Sequence, residues 1–179
     1  DDAPVHAGTL HAAVLRSPHA HARLLAVRAD KVMALPGVRA VLTAADVQRW
    51  SKPFIVGVKA PMELWALAVD KVRYVGEPVA VVVAQSRYIA EDALELLEAD
   101  YESLPPITDI RAAIAEGAPV LHEKVGSNVV SDRSFRYGDP EQAFASAPHR
   151  VALTVEYPRN SCTPIECAVV VAEFLCEDD

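Results

Sequence analysis

The sequence predicts a mixed α+β fold in which helices pack on sheets. Residues 79–84 are an unbroken run of valine and alanine, which is typical of a strand covered on both faces. The segment that follows has a helical pattern, with Ser86 as N-cap and with apolar residues four, seven and eight positions after Ile89. A buried strand followed by an amphipathic helix indicates a layered, mixed interior.

The opposite face of this predicted helix is acidic. We expect a solvated helix surface there and not a metal site, because no histidines lie at ligand spacing. The acidic residues are Glu91, Asp92, Glu95 and Glu98.

Shorter elements are predicted before this strand and helix. Apolar stretches at 10–15 and 22–27 and the alternation from Val38 to Leu42 indicate strands. Residues 29–35 predict a short helix that stops at a Pro-Gly pair. Residues 48–69 have weak periodicity and predict a long surface loop.

The carboxyl-terminal half predicts two capped helices and a strand pair. Asp109 is placed to cap a helix over 110–115, and the Asp-Pro pair at 139–140 begins another. Residues 149–157 alternate apolar with polar, and 167–174 are almost continuously apolar. We expect these last two segments to be strands that pair with each other.

Length and charge limit the class of protein. A chain of 179 residues fits one domain, so we expect residues 1–179 to form a single domain. The net charge of −8, from 25 acidic and 17 basic residues, opposes nucleic-acid binding. No apolar run approaches the roughly 20 residues of a membrane span, and the amino terminus lacks signal-peptide features. These observations predict a cytoplasmic protein.

The sequence lacks the glycine motifs that bind phosphate-bearing cofactors. No two of its seven glycines are separated by a single residue, so it has no Gly-x-Gly fingerprint, phosphate loop or Gly-x-Ser-x-Gly elbow. We therefore assign no catalytic, cofactor-binding or metal-binding residue in this chain.

The three cysteines match neither a zinc pattern nor an iron–sulfur pattern. Cys162, Cys167 and Cys176 are separated by four and then eight residues, and a fourth thiolate is absent. We expect buried, reduced thiols, with Cys162 the one most open to solvent because loop-forming residues flank it.

Two further sites keep alternative interpretations. His19 and His21 lie in a proline-containing turn, where they are either polar turn or interface residues or, less simply, metal ligands. Glu77, between a glycine and a proline, is either a buried carboxylate with a chemical role or a turn residue that holds free backbone amides.

Several motifs, in order along the chain, resemble the molybdenum-containing hydroxylases. This is the xanthine dehydrogenase and aldehyde oxidase family, which includes the aerobic carbon monoxide dehydrogenases. The matching motifs are LHAAVLRSPHAHAR at 10–23, LPGV at 35–38, KVRYVGEPVA at 71–80, AEDA at 90–93, DYESLP at 100–105, GDPEQAF at 138–144 and TPIE at 163–166.

The resemblance implies that the chain is the amino-terminal α/β hammerhead domain of the large, molybdopterin-binding subunit. In that family the molybdenum centre and the catalytic glutamate belong to later domains. We therefore expect an excised domain or a split subunit that is inactive in isolation. The full enzyme would oxidise a small substrate with oxygen taken from water.

The resemblance also implies cofactors and partners for the full enzyme. The cofactors are molybdopterin, two 2Fe-2S clusters and FAD, and the partners are the remaining molybdopterin-binding domains with the iron–sulfur and FAD units. We expect an interface at Arg16, Ser17, Pro18, His19 and His21. We also expect the loop 159–166, with Thr163, Pro164 and Glu166, to approach the molybdenum side.

Two other functions remain possible from the sequence. The first is a free-standing hammerhead protein that binds a partner without redox chemistry. The second is an autonomous small enzyme that uses Cys162 or the His19 and His21 pair.

Overall fold

The computed structural model describes residues 6–56, 62–158 and 163–175. The chain divides into two compact units, which we describe separately. The first unit is Ala7–Asp132 and contains every strand found in the described residues. The described residues of the second unit are His6, 133–158 and 163–175.

The first unit contains eight strands and four helices among its described residues. The strands are β1 (His11–Arg16), β2 (Ala22–Arg28), β3 (Val38–Leu42), β4 (Phe54–Val56), β5 (Met62–Leu64), β6 (Lys71–Val72), β7 (Pro78–Ala84) and β8 (Glu98–Ser103). The helices are α1 (Asp30–Met33), α2 (Ala44–Trp50), α3 (Arg87–Leu94) and α4 (Ile110–Ala113), with α5 (Pro140–Ser146) in the second unit.

The predicted buried strand, β7, is the central strand of an antiparallel sheet with the order β1-β7-β3. Val82 lies opposite Ala13 of β1 and Val41 of β3. Helix α3 packs on β1 and β7, and Ser86 caps it by accepting a 3.3 Å hydrogen bond from the Ile89 backbone N–H. The prediction of a buried strand followed by a capped helix is confirmed.

A second antiparallel sheet, with the order β6-β2-β8, shares its apolar core with the first. Val79 of β7 packs with Ala22 of β2 and Val72 of β6, and all three side chains are fully buried. Leu15 and Val27 contact both this cluster and the cluster beneath α3. Mixed sheets with helices packed on them match the predicted α+β class.

The prediction of a surface loop over 48–69 is wrong in part. Helix α2 continues to Trp50, and β4 and β5 form an antiparallel hairpin with Phe54 opposite Leu64. Strands of three residues are too short to display the period of two from which strands are recognised in a sequence.

The acidic face predicted for α3 also needs correction. The helix ends at Leu94, and Glu98 is the first residue of β8. There its carboxylate accepts hydrogen bonds from Arg28 Nε at 3.1 Å and from Lys31 Nζ at 2.6 Å. Glu98 therefore belongs to a charged edge of the second sheet.

The strands predicted at 149–157 and 167–174 are absent from the described residues of the second unit. Val151 is 84% exposed and Phe174 is 89% exposed, and the described residues of both segments have no strand assignment. The apolar pattern indicated strands, but a strand also needs a hydrogen-bonded neighbour. Helix α5 does begin as predicted, because Asp139 Oδ1 accepts a 3.1 Å hydrogen bond from Gln142 N–H.

Candidate functional site

Two turns that are distant in sequence meet in the first unit. The β1–β2 turn begins at Ser17, directly after Arg16 at the end of β1, and the β6–β7 turn contains Gly76 and Glu77. Ser17 N–H donates to the Glu77 carbonyl at 2.9 Å, and Gly76 N–H donates to the Ser17 carbonyl at 2.8 Å. Arg16 Nη1 donates to the Gly76 carbonyl at 2.9 Å. The structure therefore brings the predicted interface segment and the Gly-Glu-Pro turn together.

Side chains connect the same turn to the end of β8. The Ser17 hydroxyl donates to the His19 carbonyl at 3.1 Å and accepts from His19 N–H at 3.0 Å. The His19 ring centroid is 4.8 Å from that of Tyr101. His21 Nδ1 lies 2.8 Å from the Pro105 carbonyl oxygen, so this nitrogen carries the proton.

These contacts join three of the motifs on which the resemblance rests, and we call the cluster the motif junction. It consists of residues 16–21, 73–78 and 101–105. Tyr101 lies in one of the motifs, but nothing in the sequence around it indicates a role. Two buried polar atoms here have no hydrogen-bond partner among the described residues, His21 Nε2 and Tyr101 Oη.

Glu77 holds the β6–β7 turn. Its carboxylate accepts a hydrogen bond from the Arg73 backbone N–H. Burial raises the pKa of the Glu77 carboxyl above its usual value, although the Arg73 hydrogen bond and the positive charge of Arg73 oppose this shift. Of the two interpretations left open by the sequence, this contact favours a turn residue that binds a backbone amide.

Replacing Glu77 by glutamine is expected to raise stability at neutral pH. The folded-state pKa of Glu77 is raised, so its contribution to stability is full below the unfolded pKa of about 4.5 and is lost as pH rises through the folded pKa. Glu77→Gln keeps an oxygen for Arg73 N–H and removes the buried charge. Because Glu77 is only half-buried, we expect a gain of about 1 kcal/mol or less.

Thermal unfolding of the parent and of Glu77→Gln between pH 4 and pH 7.5 measures this effect. The difference in Tm should grow with pH. A variant that is less stable than the parent at pH 7.5 would show that the charged hydrogen bond to Arg73 outweighs burial.

The eight predicted interface residues lie in different surroundings. Arg16 and Pro18 are exposed and His19 is partly exposed, but Ser17 is 2% exposed and His21 is 6% exposed. These five lie in the motif junction. Three exposed residues lie in the second unit, Thr163, Pro164 and Glu166. The rest of the predicted loop, 159–162, lies outside the described residues.

Neither the histidine pair nor the cysteines form a metal site in the described part of the chain. The His19 ring contacts the Tyr101 ring at a tilt of 49°, and His21 binds the Pro105 carbonyl. No described group of three or more His, Cys, Asp or Glu could hold a metal ion. Cys167 is a free thiol and is exposed, so the expectation of burial is wrong for it. Cys162 and Cys176 lie outside the described residues.

Residues 1–105 match the sequence model described as "Aldehyde oxidase and xanthine dehydrogenase, a/b hammerhead domain". The chain belongs to this family. The match covers more than half of the chain and includes the motif junction, and it confirms both the resemblance and the hammerhead fold. Residues 121–179 match a second model, described as "Molybdopterin cofactor-binding domain".

Curated relatives and solved structures agree with this assignment. The chain is 35% identical over 180 residues to the nicotine 6-hydroxylase large subunit of Paenarthrobacter nicotinovorans, covering 96% of this chain and 21% of that protein. It is 35% identical to the carbon monoxide dehydrogenase large chain of Hydrogenophaga pseudoflava, covering 93% of this chain and 22% of that protein. The chain thus spans about a fifth of the length of these relatives.

The structure resembles the quinoline 2-oxidoreductase of Pseudomonas putida 86, with a TM-score of 0.73 and 41% identity. The similarity covers 82% of this chain and 19% of the quinoline enzyme. It also resembles the Cu,Mo-CO dehydrogenase, with a TM-score of 0.62 and 38% identity over 74% of this chain and 17% of that one. The hammerhead chain therefore has the fold of one part of two enzymes whose names give different substrates.

The described residues from Arg133 onward do not fit the molybdopterin that the family implies. From Arg133 onward all of them are exposed except the partly buried Ala147, so this segment has no buried polar side chain that could bind a pterin. The two unpartnered buried polar atoms, on His21 and Tyr101, lie instead in the hammerhead part. We therefore derive no step through the cofactor. No described helix is long and apolar enough to span a membrane.

Proposed function

We propose that this chain is the hammerhead part, together with the start of the molybdopterin-binding part, of a molybdenum hydroxylase large subunit. The observation that carries the proposal is the 35% identity, over 96% of the chain, to the large subunit of nicotine 6-hydroxylase. In the complete enzyme one oxygen atom from water would enter the substrate, while two electrons and the displaced proton leave it. The bound molybdenum cofactor would supply this redox chemistry.

The matched ranges favour two parts over the single domain predicted for residues 1–179. The hammerhead model ends at residue 105, and the cofactor-binding model begins at residue 121. The role of the hammerhead part is structural: it builds the motif junction, and it presents surface to neighbouring parts of the enzyme. We propose that the isolated chain is inactive.

We also propose that the exposed side of the motif junction contacts an iron–sulfur or FAD unit of the enzyme. This side has a cation on Arg16, an apolar ring on Pro18 and an aromatic hydrogen-bonding ring on His19. Such a composition suits a protein interface. Ser17 and His21 are buried beneath this surface. Their hydrogen bonds to the His19 and Pro105 carbonyls fix the shape of the turn. Thr163, Pro164 and Glu166 are proposed to lie toward the molybdenum side.

Co-purification with candidate iron–sulfur and flavin subunits tests this proposal. A stable complex that contains iron and flavin is the expected result. Pro18→Glu, which adds a charge to the proposed interface, should lower the iron and flavin recovered, whereas Ala12→Glu adds the same side chain at another exposed position and should not. A folded chain that never associates with these subunits would favour the free-standing hammerhead protein.

A further inference from the structure

Both backbone polar groups of Leu121 are held by side chains. Its carbonyl accepts a hydrogen bond from Arg73 Nε at 2.9 Å, and its N–H donates to Asn128 Oδ1 at 3.0 Å. Leu121 is also where the match to the cofactor-binding model begins. The backbone of the first residue of that match is therefore held by two side chains, those of Arg73 and Asn128.

Asn128 organises the loop that contains Leu121. Its Nδ2 donates to the carbonyls of Ala113 at 3.0 Å and Pro119 at 2.8 Å. One amide side chain therefore binds three points of the backbone between 113 and 121. Buried or half-buried amides that use most of their hydrogen-bonding capacity define a single loop conformation.

Arg73 ties this loop to the second sheet. It follows β6 directly, its side chain is only 20% exposed, and its Nη1 also donates to the Lys71 carbonyl at 3.3 Å. An ion pair between Lys71 and Glu123 reinforces this connection, and a second one, between Lys124 Nζ and Glu63 Oε2 at 2.9 Å, joins the loop to β5. The Lys71 side chain is 15% exposed, so water screens its ion pair less than an open surface pair.

We propose that Arg73 and Asn128 are positioning residues that fasten the start of the cofactor-binding part, residues 121–132, to the hammerhead as one body. We call Arg73, Leu121 and Asn128 the Leu121 latch. This inference rests on the proposed function for its biological meaning. It places the structural boundary after Asp132, where the first compact unit ends, and not between the two matched ranges.

Hydrogen–deuterium exchange of the full chain tests the latch. Arg73→Met keeps the apolar stem and removes the donors, and Asn128→Ala removes the other partner. We expect peptides over 118–129 to exchange about tenfold faster in Arg73→Met, which loses one hydrogen bond to this loop, and faster still in Asn128→Ala, which loses three. Peptides from β7 should be unchanged. Arg73→Lys, which keeps the positive charge and a single donor nitrogen, should restore part of the protection.

Arg87→Met is the matched control, because Arg87 pairs with Glu91 on the exposed face of α3, away from the loop. Unchanged exchange over 118–129 in both variants would overturn the latch. Equal acceleration of 118–129 and β7 would also overturn it, since Arg73 and Asn128 would then support the fold as a whole. The measurement needs no cofactor, so a failure of the proposed enzyme function would leave its result intact.

Discussion

Replacing Val82 by aspartate is expected to leave the hammerhead unfolded. Val82 lies in the central strand β7, is fully buried, and packs in the cluster with Val32, Ala93 and Leu97. An ionised carboxylate at this position has no partner, and burying it costs several kcal/mol in addition to the lost apolar contacts. That loss is comparable with the total stability of a domain, about 5–15 kcal/mol.

Circular dichroism and urea unfolding of Val82→Asp measure the effect. Val75→Asp makes the same chemical change at a valine that is 64% exposed, and this control should remain folded within about 0.5 kcal/mol of the parent. A cooperative transition of Val82→Asp close to that of the parent would contradict the central position of β7.

Replacing Gly37 by alanine is expected to cost about 1–3 kcal/mol, mainly from backbone strain, with a smaller contribution from crowding against the Ile89 side chain. Gly37 has a φ of +89°, a region that residues with a Cβ rarely adopt. A Cβ at this position would lie 2.8 Å from Cδ1 of Ile89 on α3. Both the strain and the clash therefore oppose the alanine, and they occur where β3 begins beside α3.

Gly76→Ala separates these two causes. Gly76 has a φ of +90° but no atom within 4 Å of an added Cβ, so its alanine variant should lose only the strain, about 1–2 kcal/mol. Adding Ile89→Val to Gly37→Ala removes the clashing Cδ1 and should recover part of the loss. Equal losses of unfolding free energy in Gly37→Ala and Gly76→Ala would show that the Ile89 side chain moves aside without measurable cost. Urea unfolding measures the free energy of unfolding of the parent and of the three variants, Gly37→Ala, Gly76→Ala and the double variant with Ile89→Val.

The parts of the fold that could be predicted from the sequence are those with strong local signals. The continuous apolar run of β7 predicted a buried strand, and the cap at Ser86 predicted the start of a helix. Each of these patterns arises within one segment of the chain. The hairpin of β4 and β5 was not predicted, because it depends on pairing between two very short strands. The strands expected at 149–157 failed for the same reason, since alternation does not supply a hydrogen-bonded neighbour.

The motif junction could be recognised only in its parts. The sequence marked the turn with Arg16 and the turn with Glu77 as separate features. Their contact, through Ser17 and Gly76, joins positions about 60 residues apart and follows from the antiparallel pairing of β1 with β7. The latch at Leu121 could not be predicted for the same reason, because Arg73 lies 48 residues before the carbonyl that it binds.

The molybdenum content of the complete protein that carries this chain tests the central claim most directly. The protein would be purified from a host that makes the molybdenum cofactor, and its metal would be measured by mass spectrometry against protein concentration. We predict molybdenum and large chain in equimolar amounts. A pure, folded protein without molybdenum under these conditions would contradict the assignment of this hammerhead chain to a molybdenum hydroxylase.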